Sequence, residues 1–158
     1  MTTANRVDRA KVATRATADN ETSLTRPTTW CLRIAGANAA VNGLGFGAYA
    51  LPAAWHLAHG STPEEALGSS YDSSPFATHD FTMTAPVLVA FLVSCLLLAL
   101  GGCLLIVPQT VGVVLTLAGL VMCAPFWWGF DLPFAWFNAA TVLVLLALAW
   151  AVQASHLT

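Results

Sequence analysis

The chain has 158 residues, of which 57% are hydrophobic and 9% charged, with a mean hydropathy of +0.69. A soluble domain carries roughly 25% charged residues to stay dissolved, so a water-soluble globule is excluded first. All six basic residues, Arg6, Arg9, Lys11, Arg15, Arg26 and Arg33, lie before residue 34, and so few cations gathered at one end exclude a nucleic-acid-binding surface.

That charge segregation sets the expected orientation. Segments rich in Lys and Arg stay on the cytoplasmic side of a membrane, so the amino terminus is assigned inside. The preference for Arg over Lys, with abundant Ala, Val, Leu and Thr, suggests a GC-rich bacterial genome and hence the bacterial cytoplasmic (plasma) membrane. Residues 1–29 are polar and poor in large apolar side chains, so burial cannot offset the entropy of ordering them. They read as a disordered tail, with a short basic helix over residues 6–15 on anionic headgroups as the alternative. Thr22, Thr25, Thr28 and Thr29 are ordinary for such a tail.

Four apolar runs of spanning length follow, at about residues 34–55, 85–107, 111–130 and 134–152. Each is near the ~20 residues that cross ~30 Å of hydrocarbon. The predicted fold is all-α: a membrane-embedded four-helix bundle in one domain, residues 30–158, with a disordered N-terminal tail and one long extracytoplasmic loop, residues 56–84. Four crossings return the carboxyl terminus to the cytoplasm. The four cysteines are read as small apolar fillers, Cys95, Cys103 and Cys123 lying within apolar runs and Cys31 at the cytoplasmic edge.

The first span carries the most pattern. Asn38, Asn42, Gly45, Tyr49, Pro52, His56 and His59 recur at steps of 4, 3, 4, 3, 4 and 3, which is one face of a helix. Beside it lies a face of small residues, Gly36, Ala40, Gly43, Gly47, Ala50 and Ala54, suited to close helix packing. Ile34, Val41, Leu44 and Leu51 fall elsewhere and suit lipid. Amides in hydrocarbon must be paired, so Asn38 and Asn42 are assigned to interhelical hydrogen bonds or, alternatively, to the wall of a small-molecule or ion path. Tyr49 and Asn138 are placed at similar depth and predicted to meet. Any site is expected between the first and fourth spans.

The loop contains Ser61-Thr62-Pro63-Glu64-Glu65-Ala66-Leu67-Gly68, a short helix with Thr62 as N-cap, Pro63 at the first position, Glu65 closing a capping box and Gly68 as the stop. Residues 68–75 read as turn chemistry. The second and third spans, joined by Pro108-Gln109-Thr110, form a plain apolar hairpin. The turn Asp131-Leu132-Pro133 makes the fourth span antiparallel to the third.

Two constellations at the outer end invite a functional reading. His56, His59, His79, Asp80 and Asp131, with Glu64, Glu65 and Asp72 nearby, are residue types that bind Zn or Cu. No HExxH or CxxC spacing anchors that set, and the alternative is interfacial histidines and capping carboxylates; no cofactor is predicted. Residues 125–137 pack seven aromatics around Asp131, including Trp127 and Trp128. They suit an interfacial aromatic belt or a surface for a headgroup, a quinone-like ring or a partner helix. Gly45-Phe46-Gly47-Ala48-Tyr49-Ala50-Leu51-Pro52-Ala53-Ala54-Trp55-His56-Leu57 and residues 126–138 resemble small four-helix membrane proteins of actinobacteria. The resemblance covers about residues 30–150 and implies topology, not activity.

With no nucleotide loop and no nucleophile constellation, the expected function is an accessory or scaffolding subunit of a larger envelope or membrane complex, or a homo-oligomer. Its partners are the lipid bilayer and a membrane protein or a second copy. The alternatives are a transporter or channel component using Asn38, Asn42 and Tyr49, and a metal-binding or redox protein using the outer His and Asp residues.

Overall fold

The computed structural model describes residues 3–68, 71, 73–79 and 81–155, with side chains from residue 28 onward. Among them the regular structure is entirely helical. Helix α1 (Thr3–Ala58) is followed by two short loop helices, α2 (Pro63–Leu67) and α3 (Pro75–Thr78). The helices α4 (Ala85–Ile106), α5 (Thr110–Gly129) and α6 (Pro133–Ala154) are each long and apolar enough to cross a membrane. Their bounds lie within two residues of those expected from composition and the breaks at Pro108 and Asp131.

Helix α1 departs from expectation. Its backbone is helical from Thr3, through the segment read as a disordered tail. Five Ala and four Arg residues, good helix formers, lie there without a glycine. At 1.5 Å per residue its 56 residues extend about 84 Å, more than twice the length of any other helix. The side chains of Arg6, Arg9, Lys11, Arg15, Thr22, Thr25 and Arg26 lie outside the described residues.

The helices pack in the spatial order α6, α1, α4, α5. Helix α1 lies mainly on α4 and also on α6, and α5 packs on the other flank of α4. Consecutive helices α5 and α6 touch little, meeting near their connecting turn where Trp127 and Trp136 pack edge to face at 5.9 Å. The loop helices and the Asp131 turn share one end of the assembly, called here the loop end. Pro108 marks the other.

The small-residue face of α1 is the reason for its contact with α4. Gly36, Ala40, Gly43, Gly47, Ala50 and Ala54 are all buried, whereas Ile34, Val41, Leu44 and Leu51 point away and are more than half exposed. A Cβ on Gly43 would lie 2.5 Å from the carbonyl oxygen of Cys95, and one on Gly102 would lie 2.5 Å from the backbone of both Gly36 and Ala40. The two backbones are therefore in direct contact, which only the smallest side chains permit. The GxxxG of α1 is used inside the chain, against α4.

The α4–α5 hairpin is apolar, as expected, and its fit is set by side-chain size. Phe91 packs on Phe126 with ring centroids 4.9 Å apart and planes tilted by 30°, Leu98 sits against Gly119, and Leu105 against Gly112. Each seven-residue step along α4 is matched by seven residues back along α5, the repeat of left-handed helix packing. Gly101, between these layers, faces Thr116 with the same closeness. Reading the runs by hydrophobicity alone missed this, because Gly, Leu and Phe all look apolar while their sizes decide the fit.

The glycine contacts are testable with an internal control. Gly43→Ala is expected to destabilise by about 1–3 kcal/mol through overpacking against α4. Gly45→Ala, at a position with open space around it, is expected to be neutral or slightly stabilising through helix propensity. Thermal unfolding of both variants in lipid bicelles measures the difference; equal midpoints would contradict the close approach.

Candidate functional site

The polar stripe of α1 divides into two halves with different fates. In the deeper half, Asn42 is buried and Asn38 half-buried, and both reach α6. Asn138 Nδ2 donates to Asn42 Oδ1 at 3.0 Å, and Asn38 Nδ2 donates to the backbone carbonyl of Asn138 at 3.3 Å. Three amides thus clasp α1 to α6. Small residues on α6, Ala135 and Ala139, are buried around Asn138, so the backbones come near enough for short side chains to meet. Asn42 keeps one buried donor, Nδ2, without a partner.

In the half toward the loop, Gly45, Tyr49, Pro52, His56 and His59 are exposed. Asn138 meets Asn42 and Asn38; it does not meet Tyr49, contrary to the depth argument. Tyr49 instead donates its hydroxyl to the carbonyl of Leu67, at 2.9 Å. Asn138 sits at the level of Asn38 and Asn42, seven to eleven residues and about 10–17 Å along α1 from Tyr49, so it is the depth that differs, since Tyr49 shares the azimuth of Asn42. At its own height Tyr49 faces the loop, not α6.

The loop helix α2 forms as its sequence predicts. Glu65 N–H donates to Thr62 Oγ1 at 3.3 Å, the Thr62 N–H donates to Glu65 Oε2 at 2.9 Å, and Pro63 and Gly68 occupy the start and stop. Leu67 is buried beneath it. Within the stretch read as turns, Ser74 caps a second short helix, α3, by accepting from the Ala77 N–H at 3.4 Å. Helix α3 carries Phe76, whose ring covers Gly129 at the end of α5 so closely that no Cβ fits there.

Phe76 belongs to an aromatic cluster beneath the loop. It stacks on Phe81 at 4.8 Å and meets the edge of Phe130 at 5.2 Å. Phe91 continues the cluster to Phe126, Phe130 and Phe46, and Phe46 contacts Trp127. Trp127 is 1% exposed, with its Nε1 lacking a hydrogen-bond partner. The aromatic segment is therefore split. Phe126, Trp127 and Phe130 face inward, while Trp128, Phe134, Trp136 and Phe137 face out. Inclusion of Phe46, Phe76, Phe81 and Phe91 was not foreseen, though Phe91 could have been found from its seven-residue spacing to Leu98 and Leu105.

Among the described residues, the His and Asp side chains do not gather. His59 packs against Trp55 with ring centroids 4.0 Å apart and planes tilted by 36°, and donates from Nδ1 to the Trp55 carbonyl at 2.8 Å. His79 donates from Nδ1 to the Pro75 carbonyl at 2.9 Å and lies 5.8 Å from Trp128. His56 and Asp131 are exposed; Asp131 has φ 51°, a left-handed turn conformation that Asp tolerates better than most residues. Asp72 and Asp80 lie outside the described residues. Among the described residues no three His, Cys, Asp or Glu side chains are grouped to hold a metal ion.

The arrangement is one of polar side chains used to fasten helices and loop. No family model, curated protein or solved structure matches the chain.

The amide clasp makes two predictions. In a double-mutant cycle, Asn42→Ala and Asn138→Ala should couple by about 0.6 kcal/mol, up to ~1.7. Asn38→Ala and Asn138→Ala should not couple, because the carbonyl that Asn38 uses survives the substitution. Tyr49→Phe should cost about 0.5–1.5 kcal/mol and speed amide hydrogen exchange in residues 63–68. Unchanged exchange there would show that the Tyr49 hydroxyl does not hold α2.

Proposed function

We propose that the protein is a small integral membrane scaffolding or accessory subunit, and that α1 crosses the bilayer as a fourth span within a four-helix bundle. The crossing is supported by register. From Gly36, beside Leu105, to Gly47, beside Leu92, α1 runs antiparallel along α4, so it traverses the depth that α4 traverses. The Arg residues before residue 34 place the amino terminus in the cytoplasm, and four crossings bring the carboxyl terminus to the same side of the bacterial plasma membrane. The loop of residues 56–84 is then extracytoplasmic.

The observation that carries the subunit reading is the divergence of α5 and α6. Consecutive helices joined by a short turn ordinarily pack together, yet these two touch mainly at that turn. Each presents an outward apolar surface, with Val114, Val121 and Trp128 on α5 and Phe137, Val144 and Trp150 on α6 exposed. A flank left open between neighbouring helices suits a partner helix or a second copy. The transporter reading loses its main support, because Asn38, Asn42, Asn138 and Tyr49 are engaged in fastening contacts and do not line a continuous polar path.

Extraction in native lipid, followed by crosslinking and mass spectrometry, tests this. The expected outcome is a complex larger than one chain, with crosslinks mapping to α5 and α6. A lone chain under those conditions, or solute flux in liposomes containing the purified protein alone, would overturn the reading in favour of an independent activity.

A further inference from the structure

The indole N–H of Trp127 is a buried donor that the chain leaves without an acceptor: Trp127 is 1% exposed and its Nε1 has no hydrogen-bond partner. Such a group stays costly in an apolar setting until an acceptor reaches it. Two of the rings against it come from other helices, Phe46 of α1 at 6.3 Å and Trp136 of α6 at 5.9 Å between centroids, the second edge to face. Trp127 therefore projects from α5 into the wedge between α1 and α6. Trp136 is 46% exposed, so on the α6 side a half-exposed ring covers the buried indole. Asn42 Nδ2 and Thr116 Oγ1 are also buried without partners, but both lie deeper. Thr116 is about 16 Å back along α5, against Gly101, and Asn42 belongs to the amide clasp, one turn below Phe46.

We propose that Trp127 binds a glycerolipid, its indole N–H donating to an ester carbonyl of a lipid that enters from the side between α5 and α6 at the loop end. Depth selects the acceptor. Trp127 stands one turn, about 6 Å, inside the Asp131 turn. Exposed Trp128, Phe134, Trp136 and Phe137 form a girdle near its level, as aromatic residues do where headgroups meet hydrocarbon. Glycerol ester carbonyls lie at that boundary, and they are the uncharged acceptors that a bilayer holds there in abundance.

Charge selects the part of the lipid that is recognised. Neither α5 nor α6 contains Lys, Arg or His, so neither helix clasps the phosphate, and the site distinguishes lipids by their ester linkage and not by their headgroup. The acyl chains lie along the open flank, where Val121 on α5 and Val144 on α6 are exposed. For the carbonyl to reach Nε1 the Trp136 ring turns aside, a side-chain rotation that leaves the helices in place. The site is built within one chain, so it stands independently of whether the protein is a subunit of a larger complex.

The test places the full chain, carrying isotope-labelled tryptophan, in nanodiscs of dioleoylphosphatidylcholine and of its diether analogue, which keeps headgroup and chains but has no ester carbonyl. The sequence has six tryptophans, and the indole N–H resonance lost in Trp127→Phe is that of Trp127. Ring contacts to Phe46 and Trp136 assign it if that variant fails to fold. The expected result is a Trp127 resonance that lies downfield in ester lipid, moves upfield in ether lipid, and is unchanged when phosphatidylglycerol replaces phosphatidylcholine. Thermal unfolding gives a second readout: the unaltered chain should be more stable in ester than in ether lipid, and Trp127→Phe, which keeps an aromatic ring but no donor, should lose that difference. A resonance indifferent to the linkage, or a stability difference that persists in Trp127→Phe, would overturn the proposal. So would a resonance that moves in ether lipid only on adding decylubiquinone, which makes the acceptor a quinone, or only in Trp136→Leu, which makes it the face of that ring.

Discussion

Backbone contact between α1 and α4 is the constraint on which the other placements depend. In a lipid setting, burying one apolar helix on another gains little from the hydrophobic effect, since hydrocarbon is equally available outside. Association must come from dispersion, which falls steeply with distance, and from pairing polar groups. Gly36, Gly43 and Gly102 remove the side chains that would hold the helices apart. With α1 seated so closely, its adjacent face is aimed at α6, and short Asn side chains suffice to span the remaining gap.

The hydrogen bonds then act as locators. Asn42 with Asn138, and Asn38 with the Asn138 carbonyl, fix both the height and the rotation of α6, whose buried residues are otherwise Ala135, Ala139, Val142 and Ala149. Tyr49 performs the corresponding service for the loop, tying α2 to α1 through Leu67. Tyr71 donates to the Phe81 carbonyl at 3.0 Å, so the loop also closes on itself ahead of α4. The aromatic cluster fills the volume below, with Phe46, Phe76, Phe81, Phe91, Phe126 and Phe130 in ring contact.

Much of this was legible in the sequence, for reasons that differ by element. Prolines, the Asp131 turn and long apolar runs bound α4, α5 and α6. The small face of α1 was visible because six Gly and Ala residues at steps of four and three are hard to mistake for lipid-facing positions. The capping box of α2 is local chemistry and needs no tertiary context. The site was legible in part: Asn38 and Asn42 were recognised as residues requiring partners, but Asn138 was matched to Tyr49 by depth, and neither the axial offset of α6 on α1 nor the return of the loop over Tyr49 is set by local sequence. The register of the α4–α5 hairpin was missed because nothing local sets it. That register depends on glycines whose role appears only when the facing residue is known.

The adjacent glycines of α4 carry a mechanical consequence. Gly101 is closed against α5 and Gly102 against α1, about 100° apart around the same helix. Rotation of α4 about its own axis in either direction would swing a side chain into a gap that accepts none. Helix α4 is in effect keyed between its neighbours, so motions that turn a helix, such as those that gate a pore, are unavailable to it. Helix α6 lacks such a key: it is located by the Asn38, Asn42 and Asn138 hydrogen bonds and by its packing on α1, and its flank toward α5 is open.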